Sequence, residues 1–244
     1  MNAIEQSLKN AAALIGRAMD EQGDAIERAA DMVYACVSGG GMVYAFGTGH
    51  AHMLAEELFY RAGGLAAVCP ILDERLMLHI SASASTEYER QAGYAGALLA
   101  RYPVKPGDVM IVASNSGRNA APVEMAAAGR ARGMGVIAVT NVAHSASAAP
   151  RNGLGKRLYE LADVVLDNLG EIGDAAIDVG LPGRVAPTST VVGAAMLQAM
   201  VARVAQRSAE DGRPVDAYAS SNIDGGDQIN ARILEAYRPR ISFL

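Results

Sequence analysis

Apolar residues recur at helical spacing along the first forty positions: Ile4, Leu8, Ala11 and Ile15, then Ile26, Ala29, Ala30 and Val33. This spacing predicts two helices that part near Gly23, the second ended by Ser38, Gly39, Gly40 and Gly41. The pattern then changes to short runs that are apolar throughout. Residues 42–46 form the first, which passes through Gly47, Thr48 and Gly49 into a helical pattern over 50–61. A second run covers 65–72, after Gly63 and Gly64. Residues 108–113, 135–140 and 164–167 have the composition of buried strands.

Between the strands at 108–113 and 135–140 lie a polar turn, 114–119, and a predicted helix over 120–132. Asn119 suits the N-cap of that helix, Pro122 falls in its first turn, and Gly133 closes it. A long closing helix is predicted over 190–207 and a short one over 228–237. Strand and helix alternating at this spacing give an α/β fold. The expected architecture is a three-layer αβα sandwich with a mainly parallel five-stranded sheet. Residues 1–244 read as one domain, with N-terminal helices (1–40), an α/β core (41–210) and a tail (211–244).

Composition narrows the function classes. The chain has 244 residues, 51% hydrophobic and 19% charged, with a formal net charge of −5. No run of Lys or Arg offers a basic face, so nucleic acid is not an expected partner. The most apolar helical stretch, 191–202, is short and carries Gln198, whereas a membrane span needs about 20 apolar residues. Cys36 and Cys69 form no CxxC pair, and the first residues lack the basic and apolar regions of a signal peptide. A cytoplasmic location without a membrane partner is the expectation.

The turn at 114–119 carries the clearest chemistry. In a parallel sheet, ligands bind beyond the carboxyl ends of the strands. A phosphate there can take backbone N–H groups at a helix start and nearby hydroxyls. Ser114 and Ser116 are short donors, Asn115 is a further polar side chain, and Gly117 lets the backbone approach closely. No Gly-Lys-Ser/Thr sequence is present, which argues for a phosphoester over a nucleoside triphosphate.

Ser114-Asn115-Ser116-Gly117 after an apolar strand resembles the SxSG core of the sugar isomerase (SIS) domain. The turn of Phe46, Gly47, Thr48, Gly49 and His50 is similar to that family's first glycine loop. Pro187, Thr188, Ser189 and Thr190 resemble its third phosphate-side element, and Ala55-Glu56-Glu57-Leu58 resembles a segment of phosphoheptose isomerases. The resemblance implies a flavodoxin-like fold, a sugar phosphate as ligand, no cofactor, and self-association as a homodimer or homotetramer.

The resemblance also implies an aldose–ketose isomerisation through an enediol, with Glu57 as catalytic acid/base. On an uninterrupted helix from His50, Glu57 shares a face with His50; the plainer role for Glu57 is an ion pair with Arg61 at i+4. Phosphoheptose isomerases carry a His on the final helix and this chain has none there, which leaves His50, His52, His79 and His144 as substitutes, His50 and His52 favoured by position. Asn119 stands where the family usually has Thr or Ser. His52 and Glu56, at i and i+4, could contribute to a metal site, but no third ligand is evident and none is assigned. The alternatives are a lyase or etherase acting on a sugar phosphate, and a non-catalytic phosphosugar sensor.

Overall fold

The computed structural model describes residues 2–244. Its helices are α1 (Ala3–Ser38), α2 (His52–Leu58), α3 (Ala82–Arg90), α4 (Tyr94–Leu99), α5 (Ala120–Ala131), α6 (Val142–Ala146), α7 (Ser189–Glu210) and α8 (Gly226–Tyr237). Its strands are β1 (Val43–Gly47), β2 (Val68–Ile71), β3 (Val109–Ala113), β4 (Gly135–Thr140), β5 (Val164–Asp167), β6 (Ala175–Ile177) and β7 (Val185–Pro187).

Strands β1 to β5 form a parallel sheet in the order β2-β1-β3-β4-β5. This is the flavodoxin-like order, whose topological switch falls between β1 and β3. Strands β6 and β7 make a separate antiparallel hairpin. Strands β1 to β4 are buried on both faces and β5 on one, and the side chains alternate between two cores. Val43, Ala45, Val109, Ile111, Ile137 and Val139 face one layer, made by α1, α2 and α7. Tyr44, Phe46, Met110, Val112, Val136 and Ala138 face the other, made chiefly by α4 and α5. The expected three layers and five parallel strands are therefore present.

The N-terminus differs from expectation. Residues 3–38 form one helix, not two, and Gly23 lies within it. An interior glycine costs a helix about 1 kcal/mol relative to alanine. Burial of Ala25, Ala29, Ala30 and Val33 in the core with α7 outweighs that cost. The helix expected over 50–61 is shorter and begins differently. A 3-10 turn, Gly49–Ala51, precedes α2, which ends at Leu58. Tyr60, at φ 43°, turns the chain away before Arg61. Among the described residues no helix is long and apolar enough to cross a membrane.

Candidate functional site

A cavity of about 370 Å³ opens at the carboxyl ends of β1, β3 and β4, across the switch point. Thr48, Gly49 and His50 line it from the turn after β1. Ser114, Asn115, Ser116 and Asn119 line it from the turn after β3, and Ser189 and Thr190 from the start of α7. Three segments distant in sequence thus converge on one cavity. Gly47, Gly117, Thr188 and Glu57 do not line it.

Two of those absentees have backbone reasons for being where they are. A Cβ on Gly47 would collide with the Ala51 carbonyl, because the 3-10 turn folds back over β1. Gly117 sits at φ 54°, and a Cβ there would press on Ser145 Oγ and Thr140 Oγ1, each 3.0 Å away. Thr188 is buried behind the site, beside Gly170.

The turn after β3 is anchored by its carbonyls. Asn115 O accepts from Asn141 N at 3.1 Å and from Thr140 Oγ1 at 3.3 Å. Gly117 O accepts from Leu158 N at 2.8 Å, and Arg118 O from Arg151 N at 2.7 Å. A trans peptide sets its N–H opposite its C=O. The N–H groups of Ser116, Arg118 and Asn119 therefore point away from these tethers. Ser114 Oγ accepts from Gly117 N at 3.2 Å and keeps its own proton to donate.

Asn119 occupies the N-cap position of α5, but its side chain makes no capping bond. Its amide instead donates to Glu89 Oε1 at 2.8 Å, and its Oδ1 is buried without a partner. A charged acceptor makes the stronger hydrogen bond, so the carboxylate draws the side chain from the cap. The start of α5 is left without a side-chain acceptor. At α7 the reverse holds. Asp174 Oδ1 accepts from Thr188 N at 3.1 Å and Ser189 N at 2.9 Å, and Oδ2 from Ser189 Oγ at 2.6 Å. Asp174 is held at φ 72° to do this.

Glu57 lies outside the cavity. Its carboxylate takes the Arg61 guanidinium and, at 3.0 Å, Gln198 Nε2 from α7. The face expected to hold both His50 and Glu57 assumed an unbroken helix from His50. The 3-10 turn alters that phase, so only His50 reaches the cavity. His52 is turned inward, Nδ1 donating to Gly49 O, with Nε2 3.6 Å from Glu56. Among the described residues no three His, Cys, Asp or Glu side chains gather to hold a metal.

Other groups that line the cavity were not singled out from the sequence. Glu89 and Thr86 come from α3, Asn168 from the end of β5, and Asp174 from the start of the hairpin. His144, one of the four histidines considered as substitutes for the missing helix histidine, also lines it. Its Nδ1 accepts from Gly173 N at 3.0 Å, so the neutral ring carries its proton on Nε2. Asn168 Nδ2 donates to Asn115 Oδ1 at 2.8 Å and fixes that side chain. No periodicity marks a cavity carboxylate in a polar helix such as α3, so Glu89 has no sequence signal of its own.

The five-stranded sheet, its order and the glycine and serine turns at its carboxyl edge define a class of protein. The family model for the SIS domain matches residues 6–141, more than half of the chain, and the chain belongs to the SIS domain family. It is 40% identical over 246 residues to a UPF0309 protein of Shouchella clausii, with all of both chains covered. It is 45% identical over 216 residues to a UPF0309 protein of Brucella canis, covering 88% of each. Among solved structures, a phosphoheptose isomerase from Francisella tularensis has a TM-score of 0.54 at 15% identity, covering 84% of this chain and 100% of that one. The Vibrio vulnificus NanR protein complexed with ManNAc-6P has a TM-score of 0.51 at 15% identity, covering 98% of this chain and 69% of that one. These likenesses share the fold across both an isomerase and a sugar-phosphate-binding protein.

Proposed function

We propose that the chain binds a sugar phosphate in this cavity and interconverts its aldose and ketose forms. The observation that carries the proposal is the start of α5, a helix N-terminus without a side-chain cap that opens onto a polar cavity beside Ser114, Ser116 and Thr48. The phosphate sits there, on the backbone of the turn and its hydroxyls. The sugar carbons then extend towards His50, Glu89 and His144.

The proton-transfer roles move from Glu57 to Glu89 in this scheme. One oxygen of Glu89 is engaged by Asn119, which orients the carboxylate. The other removes the proton from the carbon next to the carbonyl, giving an enediol, and returns it to the neighbouring carbon. His50, with the Nε2–H of His144, donates to the carbonyl and hydroxyl oxygens between which the second proton passes. Glu57 acts structurally, tying α2 to α7 through Gln198. Residues 1–244 act as one SIS unit in the cytoplasm. Ile4, Leu8 and Met19, exposed on α1, are the surface for self-association as a homodimer or homotetramer.

The test incubates wild type and Glu89→Gln with a panel of sugar 5-, 6- and 7-phosphates, and follows binding by calorimetry and conversion by NMR. Glu89→Gln is expected to cut turnover by about 10²–10⁴-fold with affinity little changed. Binding without conversion by the wild type would remove the isomerase and leave a sensor. Absence of binding across the panel would remove both.

A further inference from the structure

A second cavity, of about 400 Å³, lies against the edge strand β2 and shares no lining residue with the first. Arg101 after α4 and Arg238 and Arg240 after α8 line it, with Tyr102, Ser242 and the apolar side chains of Leu72 and Leu98. No carboxylate is among the residues lining it. Three arginines in the lining of one cleft are a local excess of positive charge in a chain whose net charge is −5.

The arginines are only partly engaged. Arg101 is 3.4 Å from Asp73, a long contact, and one Arg240 nitrogen donates to Gly40 O at 2.9 Å. Arg238 makes no ion pair among the described residues. Burial pushes the Tyr102 hydroxyl and the Cys69 thiol up to about 12 each, so both meet a ligand uncharged. The cleft therefore offers planar cationic forks, neutral donors and an apolar floor. Guanidinium forks match phosphate oxygens in pairs. The volume suits a small molecule.

We propose that this cleft is a second anion site that takes a phosphate monoester with an apolar body. The phosphate is held by Arg238, with Arg101 and Arg240 adding positive charge from the two ends of the cleft, and the body lies over Leu72 and Leu98. This site is independent of the sugar-phosphate cavity, and the two can fail separately.

The experiment titrates the full chain by calorimetry with phenyl phosphate and with inorganic phosphate. It compares wild type, the double variant Arg101→Ala/Arg238→Ala, and Ser116→Asp, which blocks the first cavity. Ser116→Asp is expected to keep an event that the double variant weakens by about tenfold or more. Phenyl phosphate is expected to bind that site more tightly than inorganic phosphate. Both replaced arginines are outside the core, and circular dichroism checks that the double variant is folded. Ser116→Asp binding neither ligand would overturn the proposal, as would a folded double variant that titrates like wild type. Equal affinity for the two ligands would overturn the monoester assignment.

Discussion

Two helices begin at the same cavity and meet it in opposite electrical states. The start of α7 is already neutralised by Asp174, which accepts two backbone N–H groups and the Ser189 hydroxyl. The start of α5 has no side-chain cap, because Glu89 holds the one residue placed to supply it. A helix N-terminus attracts an anion through its free N–H groups and its dipole. One terminus therefore keeps its anion within the protein, and the other is left for a ligand. Both helices are preceded by serine and threonine or asparagine, so composition alone does not distinguish them.

The sharpest way to break this contrast is to give α5 what α7 has. Ser116→Asp sets a carboxylate at the proposed phosphate position. Two like charges about 4 Å apart at a protein surface repel by about 4 kcal/mol, enough to weaken sugar-phosphate binding by about a hundredfold or more. Calorimetry reads the change. Retained affinity in a folded Ser116→Asp protein would show that the phosphate lies elsewhere.

The opposite change removes the internal anion. Asp174→Gly suits the φ of 72° while deleting the carboxylate. The loss of the α7 cap should lower stability by about 1–2 kcal/mol in chemical denaturation. Sugar-phosphate affinity should hold or rise slightly, since a negative charge has left the cavity wall. A large drop in affinity would assign α7 a direct part in holding the phosphate.

The far end of α7 gives the smallest effect. Hydrogen bonds from Arg207 and then Arg203 hold the Glu27 carboxyl below its ordinary value. A lowered folded pKa means stabilisation that is present above the unfolded carboxyl pKa, about 4.3, and lost as pH falls through the lower folded value. Glu27→Gln should therefore lower stability modestly at neutral pH, leave it nearly unchanged below the folded carboxyl pKa, and so flatten the acid side of the stability profile. An unaltered acid limb in denaturation at pH 3–5 would contradict the role of these bonds.

Much of this architecture was legible in the pattern of apolar residues. Strands β1, β3 and β4 are buried on both faces, so they read as unbroken apolar runs bounded by glycine or polar turns. The turns of Gly47–Gly49 and Ser114–Gly117 carried glycines where the backbone leaves no room for a Cβ, as at Gly47, or takes a positive φ, as at Gly49 and Gly117. Gly23 misled because packing of alanines on α7 overrode its local cost. The phase of α2 misled because a 3-10 turn cannot be told from the first turn of an α-helix by spacing. Glu89, His144 and Asp174 were not legible as a group. They come from three segments that only the tertiary fold brings to one cavity, and each has the composition of an ordinary exposed turn or helix.

The most direct test follows the backbone amides of the ¹⁵N-labelled protein as a sugar 6-phosphate is added. The two helix starts are compared in one titration. The largest shifts are expected at Ser116, Gly117, Arg118, Asn119 and Ala120, with Ser189 and Thr190 moving little. Shifts concentrated at Ser189 and Thr190, with the turn after β3 unmoved, would contradict a phosphate site at the start of α5.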